Sequence, residues 1–461
     1  MPGASTRKFL AVPILLALSV SPFGQAASDG SNAQTSARLD QIVRSYVDDK
    51  NFTGSVLVAR GDQTLLNKGY GEANREWGVP NGPDTRFRIA SITKQFTAAA
   101  ILVLAERGKL KVDDKISSYL RDAPPAWKDI TFFHLLTHSS GIPDLTRFAN
   151  FREIQPVSTT AATSIASFRD KPLEFTPGER ASYSSSGYIL LGHLIEQISG
   201  QTYDRFLQEA IFTPLGMKDS GYDRNATVMA RRASGYTMTK AGVENAEYVH
   251  MSLPYAAGGL YSTTQDLLRW QRALYGGKLL SPPSLKRMTT PYKDDQAFGL
   301  EVIKGAGEQE ITHNGHIQGF RSFVGHYPGS GVNVIILGNL DGRANIPLML
   351  DRMAKVAAGG AVVLHSELKE IPVAVSTLKQ YEGTYRLMGE KFTLEVRGNK
   401  LWAGGSGRWP WQQLKAQSNS VFFYEHLKDV SVEVIRDDAG RVSSIVMHNL
   451  GTPIPAPRWV D

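Results

Sequence analysis

Ser91-Ile92-Thr93-Lys94-Gln95-Phe96-Thr97-Ala98-Ala99-Ala100-Ile101-Leu102-Val103-Leu104-Ala105-Glu106-Arg107 is the stretch that decides how this chain is read. After Lys94 the run is rich in helix formers, and Phe96, Ala99, Ala100, Val103 and Leu104 recur at helical spacing. The pattern predicts a helix with one buried stripe, stopped at Gly108. Residues three apart on a helix are neighbours, so the Lys94 amine can reach the Ser91 hydroxyl from within one turn. A serine hydroxyl is a weak nucleophile until a base takes its proton, and a desolvated lysine can serve. The free amine titrates near about 10.4, so burial or a nearby cation must lower it. Ser-x-x-Lys alone is a common accident, and it gains meaning only from partner motifs elsewhere in the chain.

Two such motifs occur downstream, in order: Tyr183-Ser184-Ser185-Ser186-Gly187-Tyr188 and His313-Asn314-Gly315-His316. Together with Ser91 and Lys94 they resemble the three signature motifs of the serine β-lactamase and penicillin-binding-protein superfamily. The nearer resemblance is to the class C β-lactamase-like branch, which includes family VIII esterases, D-amino-acid peptidases and DD-carboxypeptidases. Leu135-Leu136-Thr137-His138-Ser139-Ser140-Gly141-Ile142-Pro143, Ile211-Phe212-Thr213-Pro214-Leu215-Gly216-Met217, Ala257-Gly258-Gly259-Leu260-Tyr261-Ser262-Thr263 and Gln318-Gly319-Phe320 match that branch as well. The resemblance implies an α+β fold, a β-lactamase/transpeptidase-like antiparallel sheet flanked by helices with an α-helical subdomain facing it. The site is then expected in the cleft between them.

On this resemblance Ser91 is the acylated nucleophile, and Lys94 orients it and shares or removes its proton. Tyr183 is the tyrosine that opens the second motif, a phenolate-like base held between two cations, and His313 assists. The backbone N–H groups of Ser91 and His316 are expected to form the oxyanion hole, with Ser185, Asn314 and Gly315 contacting substrate. Two departures bear on the substrate. Ser185 stands where an asparagine is common, and a hydroxyl offers fewer donors and less reach than an amide. His313 stands where β-lactamases usually carry the lysine of Lys-Thr-Gly, so recognition of a β-lactam carboxylate should be weaker. Arg86 and Arg321 are alternative anchors for a carboxylate. No Gly-x-Ser-x-Gly occurs, so a nucleophile elbow is not supported. The expected function is a serine hydrolase acting on small esters or amides, with D-amino-acid peptides among them. β-Lactamase or DD-carboxypeptidase activity, or a penicillin- or peptidoglycan-recognising protein with little turnover, are the alternatives.

The N-terminus reads as a secretory signal spanning residues 1–26. It has Arg7 and Lys8, an apolar run from Phe9 to Val20, and Gly24-Gln25-Ala26 before the cut. The run is too short to span a bilayer, so stable membrane insertion is not expected and export to a bacterial periplasm is. The net charge of +7 becomes +5 without Arg7 and Lys8, with no basic run to suggest nucleic acid. There is no cysteine, hence no disulfide and no thiolate metal site. His134 and His138 lack a third ligand motif and read as structural, so no metal or organic cofactor is expected.

The hydrolase domain is placed at residues 36–358. Ser28 to Ser36 is polar and reads as disordered, and Ala37 to Asp49 as an amphipathic helix. Ser55–Val58 and Thr64–Leu66 flank a Gly61-Asp62 turn, and Val332–Leu337 has the β-branched density of a buried strand. Strands at both ends with helices between them suggest a sheet whose first and last strands meet. Beyond Gly359-Gly360, short strands recur at residues 383–386, 392–396, 400–402, 421–424, 430–435 and 442–447. They suggest a small all-β accessory domain over residues 370–461, a meander or barrel resembling the lipocalin-like domain of many relatives.

Overall fold

The computed structural model describes residues 22–342, 344–405, 407–449 and 452–459. The signal-like stretch therefore lies outside the described residues, except for its last five. Those begin a helix, α1 (Pro22–Val47), which runs on through the segment expected to be disordered. Polar side chains do not forbid helix, and Ala26, Ala27, Ala33 and Ala37 favour it. The C-terminal part of α1 is anchored in the fold, with Leu39, Ile42, Val43 and Tyr46 buried.

A six-stranded antiparallel sheet organises the larger part of the chain. β1 (Gly54–Arg60) and β2 (Gln63–Tyr70) form a hairpin whose turn Gly61 takes a positive φ of 54°. The chain returns to the sheet as β3 (Glu301–Gly305), β4 (Glu308–Ile317), β5 (Phe320–Tyr327) and β6 (Val332–Gly338). The order is β3-β4-β5-β6-β1-β2, and β1 pairs with β6 from Gly54–Gly338 to Arg60–Val332. The first and last strands meet, as their positions predict. Every residue of β6 is buried, because both faces of the sheet are covered. One face packs on α1 and on a late helix, Ile346–Ala357, through Val56, Val58, Val334 and Ile336. The other face, through Leu57, Ile335 and Leu337, joins the larger core.

At the centre of that core lies α2 (Thr93–Glu106), the helix of the opening motif. It is not amphipathic: Thr93 to Leu104 are buried on every side. A helix buried all round is a core element, and its polar residues must find partners. They do. Gln95 Oε1 accepts from Trp270 Nε1 at 2.9 Å, and Thr97 Oγ1 donates to the Ala256 carbonyl at 2.7 Å. Phe96 lies against Trp270 with ring centroids 4.2 Å apart.

Residues 383–457 form eight antiparallel strands in sequential order around a core of their own, including Tyr385, Phe392, Leu394, Phe422 and Ile445. The ends approach closure, since Tyr385 bridges Arg458 and Trp459 N–H donates to the Thr384 carbonyl at 2.7 Å. Six strands fall where the β-rich runs place them. The other two, Gln412–Ala416 and Thr452–Pro457, carry little β propensity, the last having proline at alternate positions. Arg352 to Asp429 at 2.6 Å links this barrel-like sheet to the part of the chain built on the six-stranded sheet.

Candidate active site

Ser91 sits in a one-turn 3₁₀ segment, Ala90–Ile92, that feeds directly into α2. The preceding Ala90 adopts φ 46°, a left-handed conformation that costs a non-glycine residue about 1–2 kcal/mol. Its surroundings hold it there. Ile89 N–H donates to the Leu260 carbonyl at 3.0 Å, and Leu260 N–H donates to Thr93 Oγ1 at 3.2 Å. Gly315 passes close beside this turn: a Cβ there would lie 2.2 Å from the Ile89 carbonyl and 2.3 Å from Ser322 Oγ. Ser322 Oγ donates to the same Ile89 carbonyl at 2.8 Å. Strand β4 is thereby drawn against the Ser91 turn. Its ladder with β3 ends at Thr312, just before His313.

Lys94 is fully buried. Its Nζ lies 3.1 Å from Ser91 Oγ and donates to the Ala257 carbonyl at 2.8 Å. Burial lowers its pKa to about 7, against a small opposing pull from Asp144. Near neutrality much of Lys94 is then a free amine, able to accept the Ser91 proton. Gly299, at φ 66°, permits the close approach behind it, since a Cβ there would meet the Lys94 carbonyl oxygen at 2.5 Å.

Tyr183 completes the group. Its ring lies 4.7 Å from Lys94 Nζ, and it lines the same cleft as Ser91. Burial raises the phenol well above its ordinary value, with the Ser91 hydroxyl opposing the shift and Asp144 adding to it. His313 flanks the tyrosine at 6.3 Å between ring centroids, and burial followed by Lys94 lowers its pKa to about 4. Its Nδ1 lies 2.5 Å from the Asn314 carbonyl, so that nitrogen carries the proton. Burial thus works against the charged form of each group: the phenol is pushed up, the His313 imidazole is pushed down, and Lys94 is brought close to its midpoint at neutral pH.

A cleft of about 880 Å³ opens over these groups. Ser185, Asn314 and His316 line it, with Ser185 the first residue of helix Ser185–Ser199, capped by Ser184. The His316 ring faces Asp341, Nε2 to Oδ2 at 2.8 Å, and Arg321 pairs with the same carboxylate at 2.8 Å. Arg86 pairs with Asp219 at 2.6 Å and does not line the cleft. Neither arginine stands ready for a substrate carboxylate, contrary to the alternative their sequence positions suggest. The cleft carries Glu244, Glu247, Glu301 and Asp341 against Arg152.

Sequence reasoning missed Asp144, Ala257 and His138. Asp144 is buried, accepts the Thr146 N–H at 3.1 Å and is the carboxylate acting on both Lys94 and Tyr183. Ala257 contributes only a carbonyl, for which side-chain chemistry gives no signal. His138 lies in one of the branch-matching motifs, yet by sequence it reads as structural. Among the described residues no group of three or more acidic or imidazole side chains could hold a metal.

The arrangement of a cleft-lining serine, a buried lysine one helical turn on, a tyrosine beside them and an antiparallel sheet behind is that of a serine hydrolase. A profile of the Beta-lactamase family matches residues 39–358, so the chain belongs to that family. A penicillin-binding protein of Bacillus subtilis (strain 168) is 25% identical over 450 residues, 91% of this chain and 98% of its own. Among solved structures, an octameric penicillin-binding protein homologue from Pyrococcus abyssi superposes with a TM-score of 0.64 at 26% identity, covering 91% of this chain and 99% of that one. D-amino acid amidase from Ochrobactrum anthropi SV3 superposes at 0.63 with 25% identity, over 71% of this chain and 99% of that one. No helix among the described residues is long and apolar enough to cross a membrane.

Proposed function

We propose that this protein is an exported hydrolase that acylates Ser91 with small esters or amides, D-amino-acid peptides among them. The observation that carries the reading is the buried Lys94, with a pKa of about 7 and 3.1 Å from Ser91 Oγ. Ser91 Oγ attacks the substrate carbonyl carbon as its proton passes to Lys94. The oxyanion that forms is held by backbone N–H groups of Ser91 and His316. Collapse of that intermediate breaks the bond to the leaving alkoxide or amine, which takes its proton from Lys94 through the Tyr183 hydroxyl. Water then attacks the acyl carbon as its proton passes to Lys94 by the same route; the acyl C–Oγ bond breaks, Ser91 Oγ takes the proton back from Lys94, and the acid is released. Likeness to a D-amino acid amidase supports amides as substrates. A neutral His313 and paired Arg86 and Arg321 favour substrates without a carboxylate at the third motif. The basic and apolar start of the chain supports export.

The relatives named as penicillin-binding proteins favour a second reading, acylation by a β-lactam with slow release. Time courses with a short-chain p-nitrophenyl ester and a chromogenic cephalosporin, for wild type and Ser91→Ala, separate the two. Sustained ester turnover lost in Ser91→Ala supports the hydrolase. A stoichiometric cephalosporin burst without ester turnover supports the second reading. Activity that survives Ser91→Ala overturns both.

A further inference from the structure

His138 does more than fill the wall behind the site. Its residue grips the chain on both sides of Tyr183. The Ser182 N–H donates to the His138 carbonyl at 2.8 Å, and the Ser184 N–H donates to His138 Nδ1 at 3.0 Å. Between those two bonds the imidazole stacks on the Tyr183 phenol, with centroids 4.4 Å apart and planes 29° from parallel. Tyr188 closes the far side at 5.0 Å. His138 is 2% exposed and has φ 56°. That backbone region is tolerated by histidine and asparagine better than by most residues.

The Nδ1 lone pair is used by Ser184, so the ring proton sits on Nε2. That buried Nε2 has no hydrogen-bond partner among the described residues. The bond from Ser184 fixes the ring's orientation. In that orientation the ring presents a flat surface to the phenol. Burial, then Lys94 and His313, keep the imidazole neutral. A charged ring so near Lys94 would oppose any positive charge arriving on that amine during acylation.

We propose that His138 is a positioning residue for the reaction, its ring face holding the Tyr183 phenol in register with Ser91 and Lys94. The inference rests on the reading of the Ser91 site given above. A phenol free to swing would lose its place beside Lys94 and Ser91, and displacement of about 1 Å in such a group can cost about a hundredfold in rate.

Full-length His138→Asn, Tyr183→Phe and the double variant are compared with wild type and Ser91→Ala on a p-nitrophenyl ester. Asparagine keeps an acceptor for Ser184 and suits the backbone, but removes the ring. His138→Asn is expected to lose about tenfold to a hundredfold in kcat with KM within about threefold. In the Tyr183→Phe background the same change is expected to cost less than about twofold, because the group it positions is gone. If the asparagine variant melts below the assay temperature, all variants are compared at a temperature below its midpoint. Wild-type kcat in His138→Asn, or an equal loss in both tyrosine backgrounds, overturns the inference. Activity retained by Ser91→Ala overturns the reading of the site instead, so the two failures are distinguishable.

Discussion

Lys94 Nζ donates a 2.8 Å hydrogen bond to the carbonyl of Ala257, 163 residues further along the chain, while standing 3.1 Å from Ser91 Oγ. A carbonyl can accept from an amine in either protonation state, so this bond places the nitrogen without forcing a charge on it. Burial then decides the titration and brings it to about 7.

The first consequence is a pH profile. Acylation needs Lys94 unprotonated, so kcat/KM for a neutral ester is expected to rise through pH 7 and level off above about 8. His313 already loses its proton near 4, and the limb near 7 is therefore expected to persist in His313→Asn. A limb that disappears in that variant would assign the titration to the histidine.

Stability should move in the opposite sense to activity when the lysine is removed. Lys94 titrates near 7 in the fold and near its ordinary 10.5 when unfolded. Between those values the unfolded chain holds the extra proton, so stability rises with pH across that window, and the burial penalty is greatest below it. Lys94→Met is expected to abolish turnover yet be more stable than wild type by about 1 kcal/mol or more at pH 6–7. The advantage should shrink as pH approaches 10. Urea unfolding of both proteins at three pH values measures it.

Gly315→Ala tests the packing of β4 against the nucleophile turn. The new methyl would fall 2.2 Å from the Ile89 carbonyl and 2.3 Å from Ser322 Oγ, so backbone must move. A loss of about a hundredfold in kcat/KM is expected, along with destabilisation of about 1–3 kcal/mol. Gly61→Ala, at a turn with nothing within 4 Å, is the control for a glycine change remote from the site.

Substrate charge selection should respond to the third motif. His313→Lys places a permanent cation where the imidazole is neutral. Acylation by a cephalosporin, which carries a carboxylate, is expected to rise about tenfold relative to a neutral ester. The ratio of the two acylation rates, with intact mass spectrometry of the acyl-enzyme, gives the answer. An unchanged ratio would mean that carboxylate recognition does not run through this position.

Much of the architecture was legible from local pattern. The Gly61 hairpin, the buried strand at residues 332–337 and six of the eight C-terminal strands are set by short runs of β-branched residues and turn chemistry. The helix through residues 22–36 was not, because a segment with alanines and no apolar face gives no periodic signal of either kind. Nor was the full burial of α2. Its sequence suggested one apolar stripe, whereas Gln95 and Thr97 are satisfied by Trp270 and Ala256, partners far away in the chain.

The sequence by itself determined that Ser91 and Lys94 share one helical turn, since the geometry of an α-helix makes residues three apart neighbours whatever surrounds them. It also carried the three motifs in their order. Only the tertiary structure decided which protonation states those residues hold. Lys94 is brought near 7, His313 is pushed down and the Tyr183 phenol is pushed up because segments distant in the chain pack around all three and disfavour their charged forms. The clamp of His138 on either side of Tyr183 has the same origin. Desolvation is a property of the whole enclosure, and no short stretch of sequence contains it.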